Sequence, residues 1–323
     1  LYQRGVKNFQ SQLLRNFDLR GADLIGADFS RANLAGTDFS LAYLHRANFR
    51  EGHLVGCVLS GTTLNQADFS QANLRDSNLH GASLQGAIFL SADLGLADLS
   101  DTNLIDADLR AVNLCQANLS GACLRGANLR EETLVNASML QGAILDHADL
   151  QGANLKGAIL DRASLKGANL SKTNLRGVSL KGANLEGANL EGALLSDLDA
   201  SSANFHQTNL KGAKLERAKL YQANLLECNL EMAILTDANL TYSNLHSANL
   251  KNANLNRADL SRACLQLANL TECSIVRAYL ARADLSHADL SRANFFGSEL
   301  SSAIVAQAIF AETTMPDGRL SGT

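Results

Sequence analysis

Leu180–Leu195 reads LKGANLEGANLEGALL, and the spacing in this stretch decides the fold. Leucine returns at 180, 185, 190 and 195, and alanine stands two places before the last three. A period of five is neither the 3.6 of a helix nor the 2 of a strand. Residues two apart in extended chain share a face, so Ala183 and Leu185 point inward together and Asn184 points out. The next inward pair arrives five residues later, so the chain must turn within each quintet, after the leucine. Gly182, Gly187 and Gly192 stand at the second turn position, where a tight turn favours positive φ. The five positions are, in order, small inward, outward, large inward, first corner and second corner.

The pattern A-(N/D)-L-x-x runs through nearly all of the 323 residues. Large inward residues fall at numbers ending in 4 or 9 from Leu19 to Met139, and in 0 or 5 from Leu145 to Phe310. Phe9, Phe29, Phe49, Phe69 and Phe89 are spaced by twenty. Four quintets per circuit stack these rings in one column; three or five sides scatter them. The expected fold is all-β, a quadrilateral parallel β-helix of about 15 coils, four quintets each, right-handed as parallel crossovers are. Crowding explains the alanine, since each side has room for one large side chain.

Composition agrees. With 46% hydrophobic residues but one proline and no tryptophan, the core is Leu and Ala rather than a mixed globular interior. A formal net charge of −4 does not suggest direct binding to nucleic acid or to an acidic membrane. No apolar run approaches the ~20 residues of a membrane span, and no signal segment opens the chain, which predicts a cytoplasmic protein.

These repeats resemble those of the pentapeptide repeat family, whose consensus is A-(D/N)-L-x-x, over about nine-tenths of the chain. The resemblance implies a right-handed quadrilateral β-helix. The lead-in RGVKNFQ and the closing TMPDGRL are similar to the ends of cyanobacterial members, among them a regulator of heterocyst differentiation. It further implies a regulatory, partner-binding role. Some members mimic duplex DNA and bind DNA gyrase; these carry a strongly acidic surface and pair through a C-terminal helical segment, and this chain shows neither feature, which leaves mimicry the second reading.

Three irregularities stand out. Between Arg130 and Gly142 the register slips by one residue. One alignment keeps Leu134 and Met139 as large inward residues and turns Glu132 inward. The other makes Glu131–Glu132 a bulge, with Val135 and Leu140 inward, and avoids burying a carboxylate. In SDLDA the sizes invert, Leu198 taking the small site and Ala200 the large one; the kept volume lets the coil survive, with a local loop as the rival. Residues 1–16 are less regular and read as an N-terminal cap, 17–314 as one continuous β-helix, and 315–323 as a turn at Pro316 with a short tail.

A filled interior leaves any site on the outside. The outward Asn/Asp residues, including the neighbouring pairs Asp93/Asp98 and Asp284/Asp289, are read as bonding nearby backbone rather than as acid–base or metal sites. His45, His147, His206, His246 and His287 map to one side, too far apart along it to share a zinc ion. Cys57, Cys228 and Cys273 occupy small inward sites; Cys115, Cys123 and Cys264 face out; no disulfide is expected. No catalytic residue, metal or cofactor is expected, and no enzyme. One patch suggests binding of an acidic protein surface. Arg257 and Arg277 line one edge of a side and Arg262 and Arg282 the other; Tyr279 lies between, Tyr221 and Tyr242 extend it, and Asp259 is expected to answer the local charge.

Overall fold

The computed structural model describes residues 7–132 and 136–321, in two compact units, Leu1–Ser164 and Leu165–Thr323. In each unit the outward residue of a quintet makes a parallel bridge to the outward residue twenty positions on: Asn48 with Asp68 in the first unit, Asn204 with Asn224 in the second. Each unit is therefore a parallel β-helix that advances one rung per four quintets.

One quintet shows why the sequence must look as it does. Ala223 N–H closes the preceding turn onto Leu220 O (3.0 Å); Asn224 N–H reaches the coil before, at Ala203 O (2.9 Å). Leu225 and Glu227 N–H reach the coil after, at Asn244 O (2.7 Å) and His246 O (3.0 Å). Only the first-corner amide, Leu226 N–H, is left over, and Asn224 Oδ1 accepts it at 3.3 Å. The outward Asn/Asp is thus the acceptor for the one donor the ladder does not use. At the second corner the backbone is left-handed: φ is +66° at Gly187, and also +59° at Met232 and +60° at Arg262. The turn demands this conformation of every occupant, at about 1–2 kcal/mol where a Cβ is present.

The core is the stack of inward residues. Phe9, Phe29, Phe49, Phe69 and Phe89 do form a column, with successive centroids 4.8–5.1 Å apart and rings within 9° of parallel. Phe39 packs edge-on against Phe29 and Phe49. Where a hydroxyl or thiol replaces the inward alanine, a large-site carbonyl accepts it. Thr173 Oγ1 donates to Leu170 O in its own turn (2.6 Å), and Cys273 Sγ to Leu250 O in the coil before (2.7 Å). No buried side-chain nitrogen or oxygen among the described residues lacks a partner. At SDLDA the coil survives: Leu198 and Ala200 are both fully buried, and Asp199 keeps its bridges to Ser179 and Lys219.

The register shift is larger than one residue. Asn113 bridges Met139, Asn118 bridges Ile144 and Asn128 bridges Asn154, each twenty-six positions on. A whole quintet plus one residue therefore stands outside the winding. Leu140 is the buried large residue, Ser138 the small one, and Met139 faces out at 38% exposure. Leu134 and Val135, the rival inward residues, lie outside the described residues. The feet of the excursion are tied down: Glu131 N–H donates to Lys156 O (2.9 Å), and Arg110, already clamped on Asp108, also donates to Glu132 Oε2 (2.8 Å).

Among the described residues the ladder begins at Asn8, which bridges Asp28, so residues 8–16 belong to the winding. At the far end, PDG turns the chain back: Leu320 bridges Thr314 antiparallel, Gly318 N–H donates to Met315 O (2.9 Å), and Ser321 N–H to Thr313 O (2.8 Å). A hairpin replaces the next parallel quintet on that side. No helix among the described residues is long and apolar enough to cross a membrane.

Candidate interaction surface

The sides of the second unit differ in what they display. Two outward rows are amide ladders. Asn189, Asn209, Asn229 and Asn249 each donate Nδ2 to the asparagine one coil earlier, at 3.0–3.4 Å. Asn204, Asn224 and Asn244 do the same at 2.9–3.3 Å. These groups satisfy one another and the first-corner amides, and present little unspent hydrogen-bonding capacity. A third row, through Ser179, Asp199, Lys219, Asn239, Asp259, Tyr279 and Glu299, has no such ladder. Its side chains vary, and the predicted patch lies around it.

The structure places those residues on the two corners that bound this side. Asp197, Arg217, Asp237, Arg257 and Arg277 follow one another at twenty-residue steps along one corner. Arg217 forms a bidentate pair with Asp197 (2.6 and 2.7 Å), and Arg257 with Asp237 (2.7 and 2.6 Å). The hydrogen bonds from Arg257 hold Asp237 below the ordinary carboxylate range. Arg257 is thus answered by Asp237 and not by Asp259, whose Oδ1 instead accepts Ser261 N–H at 2.9 Å. On the other corner Tyr242, Arg262 and Arg282 succeed one another. Arg262 Nη1 donates to Tyr242 OH (2.8 Å), and its guanidinium carbon is 5.2 Å from that ring's centroid. Tyr221 meets Tyr242 edge-on at 5.8 Å. Tyr279, 52% exposed, stands between the corners.

Of the seven predicted residues, the structure joins Tyr221, Tyr242 and Arg262 in one contact chain and ties Arg257 into an acid–base row. Arg277, Arg282 and Tyr279 remain exposed, and among the described residues the two arginines have no side-chain hydrogen bond or ion pair. The alternating row was missed in the sequence. Its signal was there, because residues twenty apart at the same corner position are direct neighbours.

The other candidates have structural employment. Asp93 Oδ1 accepts Gly95 N–H (3.0 Å) and Asn113 Nδ2 (2.8 Å); Asp98, Asp284 and Asp289 accept from Ser100, Ser286 and Ser291. His80 Nδ1 lies 2.9 Å from Ser100 Oγ, but that hydroxyl donates to Asp98 (2.6 Å), so its proton is not aimed at the imidazole. No group of three His, Cys, Asp or Glu among the described residues could hold a metal ion. Half-buried His206 lies 3.9 Å from Glu186 on one ring nitrogen and 3.8 Å from Glu227 on the other, both exposed carboxylates. His45 and His147 do not share a corner. The offset of twenty-six carries the His45 column through Leu124 to Leu150, whereas His147 follows Leu145 on the neighbouring one. Cys57, Cys228 and Cys273 are buried, and Cys115, Cys123 and Cys264 are half-buried, all as free thiols.

The family model for pentapeptide repeats matches eight copies in stretches that run from residue 8 to 130 and from 136 to 311. The longest gap between matched stretches, 131–135, falls on the excursion. Among solved structures, HetL, a pentapeptide repeat protein involved in heterocyst differentiation regulation from the cyanobacterium Nostoc, is 33% identical; the match covers 74% of this chain and 91% of HetL, with a TM-score of 0.24. A pentapeptide repeat protein of the Arabidopsis thaliana thylakoid lumen is 35% identical over 32% of this chain and 69% of its own, with a TM-score of 0.26. Full-length QnrB1, a plasmid-mediated fluoroquinolone resistance protein, is 16% identical over 75% of this chain and 92% of its own, with a TM-score of 0.32. No curated protein matches. The quintets, the twenty-residue ladder and the family model's match over most of the sequence make the chain a member of the pentapeptide repeat family, whose fold is the right-handed β-helix.

Proposed function

We propose that the chain is a non-enzymatic protein-interaction module that uses the Arg- and Tyr-bearing side of its second unit. The observation that carries the reading is the contrast between sides. Two rows spend their amides on each other, while this one gathers three tyrosines exposed by 39–52% and four exposed arginines. Tyrosine and arginine contribute most per residue to protein interfaces, and flat, rigid backbone beneath them lowers the entropy lost on docking. A regulatory task, of the kind that the name of HetL carries, is part of the proposal. So is the finer fold, a quadrilateral winding of about 15 coils, which the offset of twenty residues over 323 supports.

The rival is a nucleic-acid mimic. It calls for a continuous acidic surface, whereas acids here alternate with bases, as in Asp197–Arg217–Asp237–Arg257 and in the Lys211–Glu231 pair.

The test is site-specific photo-crosslinking in native extract, with the photoreactive residue at Tyr279, Tyr221 or, on an amide-ladder side, Lys251. One protein captured at both tyrosines and not at Lys251 is the expected result. Equal capture at all three positions, or none at any, would refute the reading.

A further inference from the structure

Resting on that interaction reading, we infer that Arg277 and Arg282 form an open two-carboxylate site, filled by an acidic segment of a partner protein laid across Tyr279. The four arginines of the patch are not equivalent. Arg257 has both nitrogens of its fork on Asp237, and Arg262 is spent on Tyr242. Arg277 and Arg282 repeat these corner positions one coil later, where the pairing stops. The corner row runs acid, base, acid, base and then base again, so an acid is missing beside Arg277.

The next rung explains why the guanidiniums stay uncovered. Gly297 follows Arg277, and Ser302 follows Arg282. At Gly297 an added Cβ would stand 3.3 Å from Arg277 Cγ, so the absence of a side chain leaves the arginine lying over bare backbone. The carboxylates nearest in the row are held locally: Asp259 by Ser261 N–H, and Glu299 by the Ser301 hydroxyl at 2.6 Å. Two unanswered guanidiniums, at successive second corners, thus bracket the one exposed phenol between them. A carboxylate takes a guanidinium in bidentate fashion, and a residue between two acids would cover the tyrosine ring. The matching chemistry is an extended segment with one acidic side chain two places before an apolar or aromatic one and another two places after it, so that all three share a face.

The probe is a fluorescein-labelled decapeptide carrying Glu-Ser-Phe-Ser-Glu twice, which sets acid, ring and acid on one face of an extended chain, followed by fluorescence anisotropy at low and high salt. Arg277→Gln/Arg282→Gln is the test variant and Arg217→Gln the control, since Arg217 belongs to a closed pair. Thermal melts should leave the double variant unchanged, because both side chains are exposed and unpartnered. Binding by the native chain that weakens about tenfold in the double variant, and with added salt, supports the site. Equal binding by the two proteins overturns it. So does a phosphotyrosine peptide or a single-stranded oligonucleotide that binds tighter through the same arginines, or self-association that the double variant abolishes. A pull-down separates the levels. Partners captured equally by native and double-variant chains sink this site and spare the interaction reading; no partner with either sinks both.

Discussion

At the scale of the residue, the outward asparagine does two jobs that a generic polar side chain cannot. In Asn224, Oδ1 accepts the leftover Leu226 amide and Asn244 Nδ2, while Nδ2 donates to Asn204. Asn224→Ala should cost about 1–2 kcal/mol by denaturant unfolding, and Asn224→Asp less, because the acceptor survives. Equal losses would show that the amide ladder, not the turn, carries the energy. Two positions prove the rule by substitution. Ser83 and Ser274 cannot reach their first-corner amides, and Asn65 and Asn256 of the preceding coil accept Gln85 and Val276 N–H instead. The inward thiols are equally specific. Burial pushes Cys57, Cys228 and Cys273 up to about 12. A thiol reagent at pH 8 should therefore label no more than the three half-buried cysteines in the native chain and all six in denaturant; labelling of Cys228 in the folded chain would contradict its placement. The buried thiols and the bonding of outward Asn/Asp to nearby backbone were legible in the quintet, because inward and outward follow from alternation alone; the ladder from asparagine to asparagine was not. What was not legible was the partner of Arg257. Asp259 is closer in sequence, but it sits at an outward position, and Asp237 shares the arginine's corner.

At the scale of the coil, stacking like on like makes a column the unit of stability. Phe49 touches Phe29 and Phe69 face to face at 5.1 and 4.8 Å and Phe39 edge-on at 6.1 Å. Leucine is the usual tenant of the large site, so Phe49→Leu should fold with the same ladder. It should still lose about 1–3 kcal/mol, from aromatic contacts of roughly 0.5–1.5 kcal/mol each less the partial refilling by leucine. A chemical melt compared with a Leu→Met change in an all-leucine column checks it; equal costs would mean that the rings contribute only volume. The same column logic governs the candidate site. A spacing of twenty identifies stacked neighbours, which is why the Arg/Tyr patch could be drawn from sequence. Which arginines are spent, however, depends on where each fork reaches, and only side-chain geometry supplies that.

At the scale of the molecule, the excursion shows what a period of five cannot reveal. A shift by one residue and a shift by six leave the same pattern of Ala and Leu on both sides, because whole quintets are invisible to the repeat. The sequence therefore reads as a slip of one, while the ladder offset of twenty-six sets six residues aside. The column map changes with it, which is why His45 and His147 part. If those six residues are an insertion rather than a support, the winding should close without them. Deleting residues 131–136 joins Arg130 to Ala137, puts Ala137 at a second corner, and leaves Ser138, Met139 and Leu140 in the small, outward and large positions they already hold. Ala137→Gly supplies the left-handed turn at no steric cost. The deletion forfeits two ion pairs, Arg110–Glu132 and Lys156–Glu131, at sites open enough to water that each contributes ~1 kcal/mol or less. It also removes the entropy lost in closing a loop. The shortened chain should fold with an unchanged β spectrum and a melting midpoint within a few degrees of the parent. Aggregation, or a melt split into two transitions, would instead make the excursion a structural element that the coils on either side require.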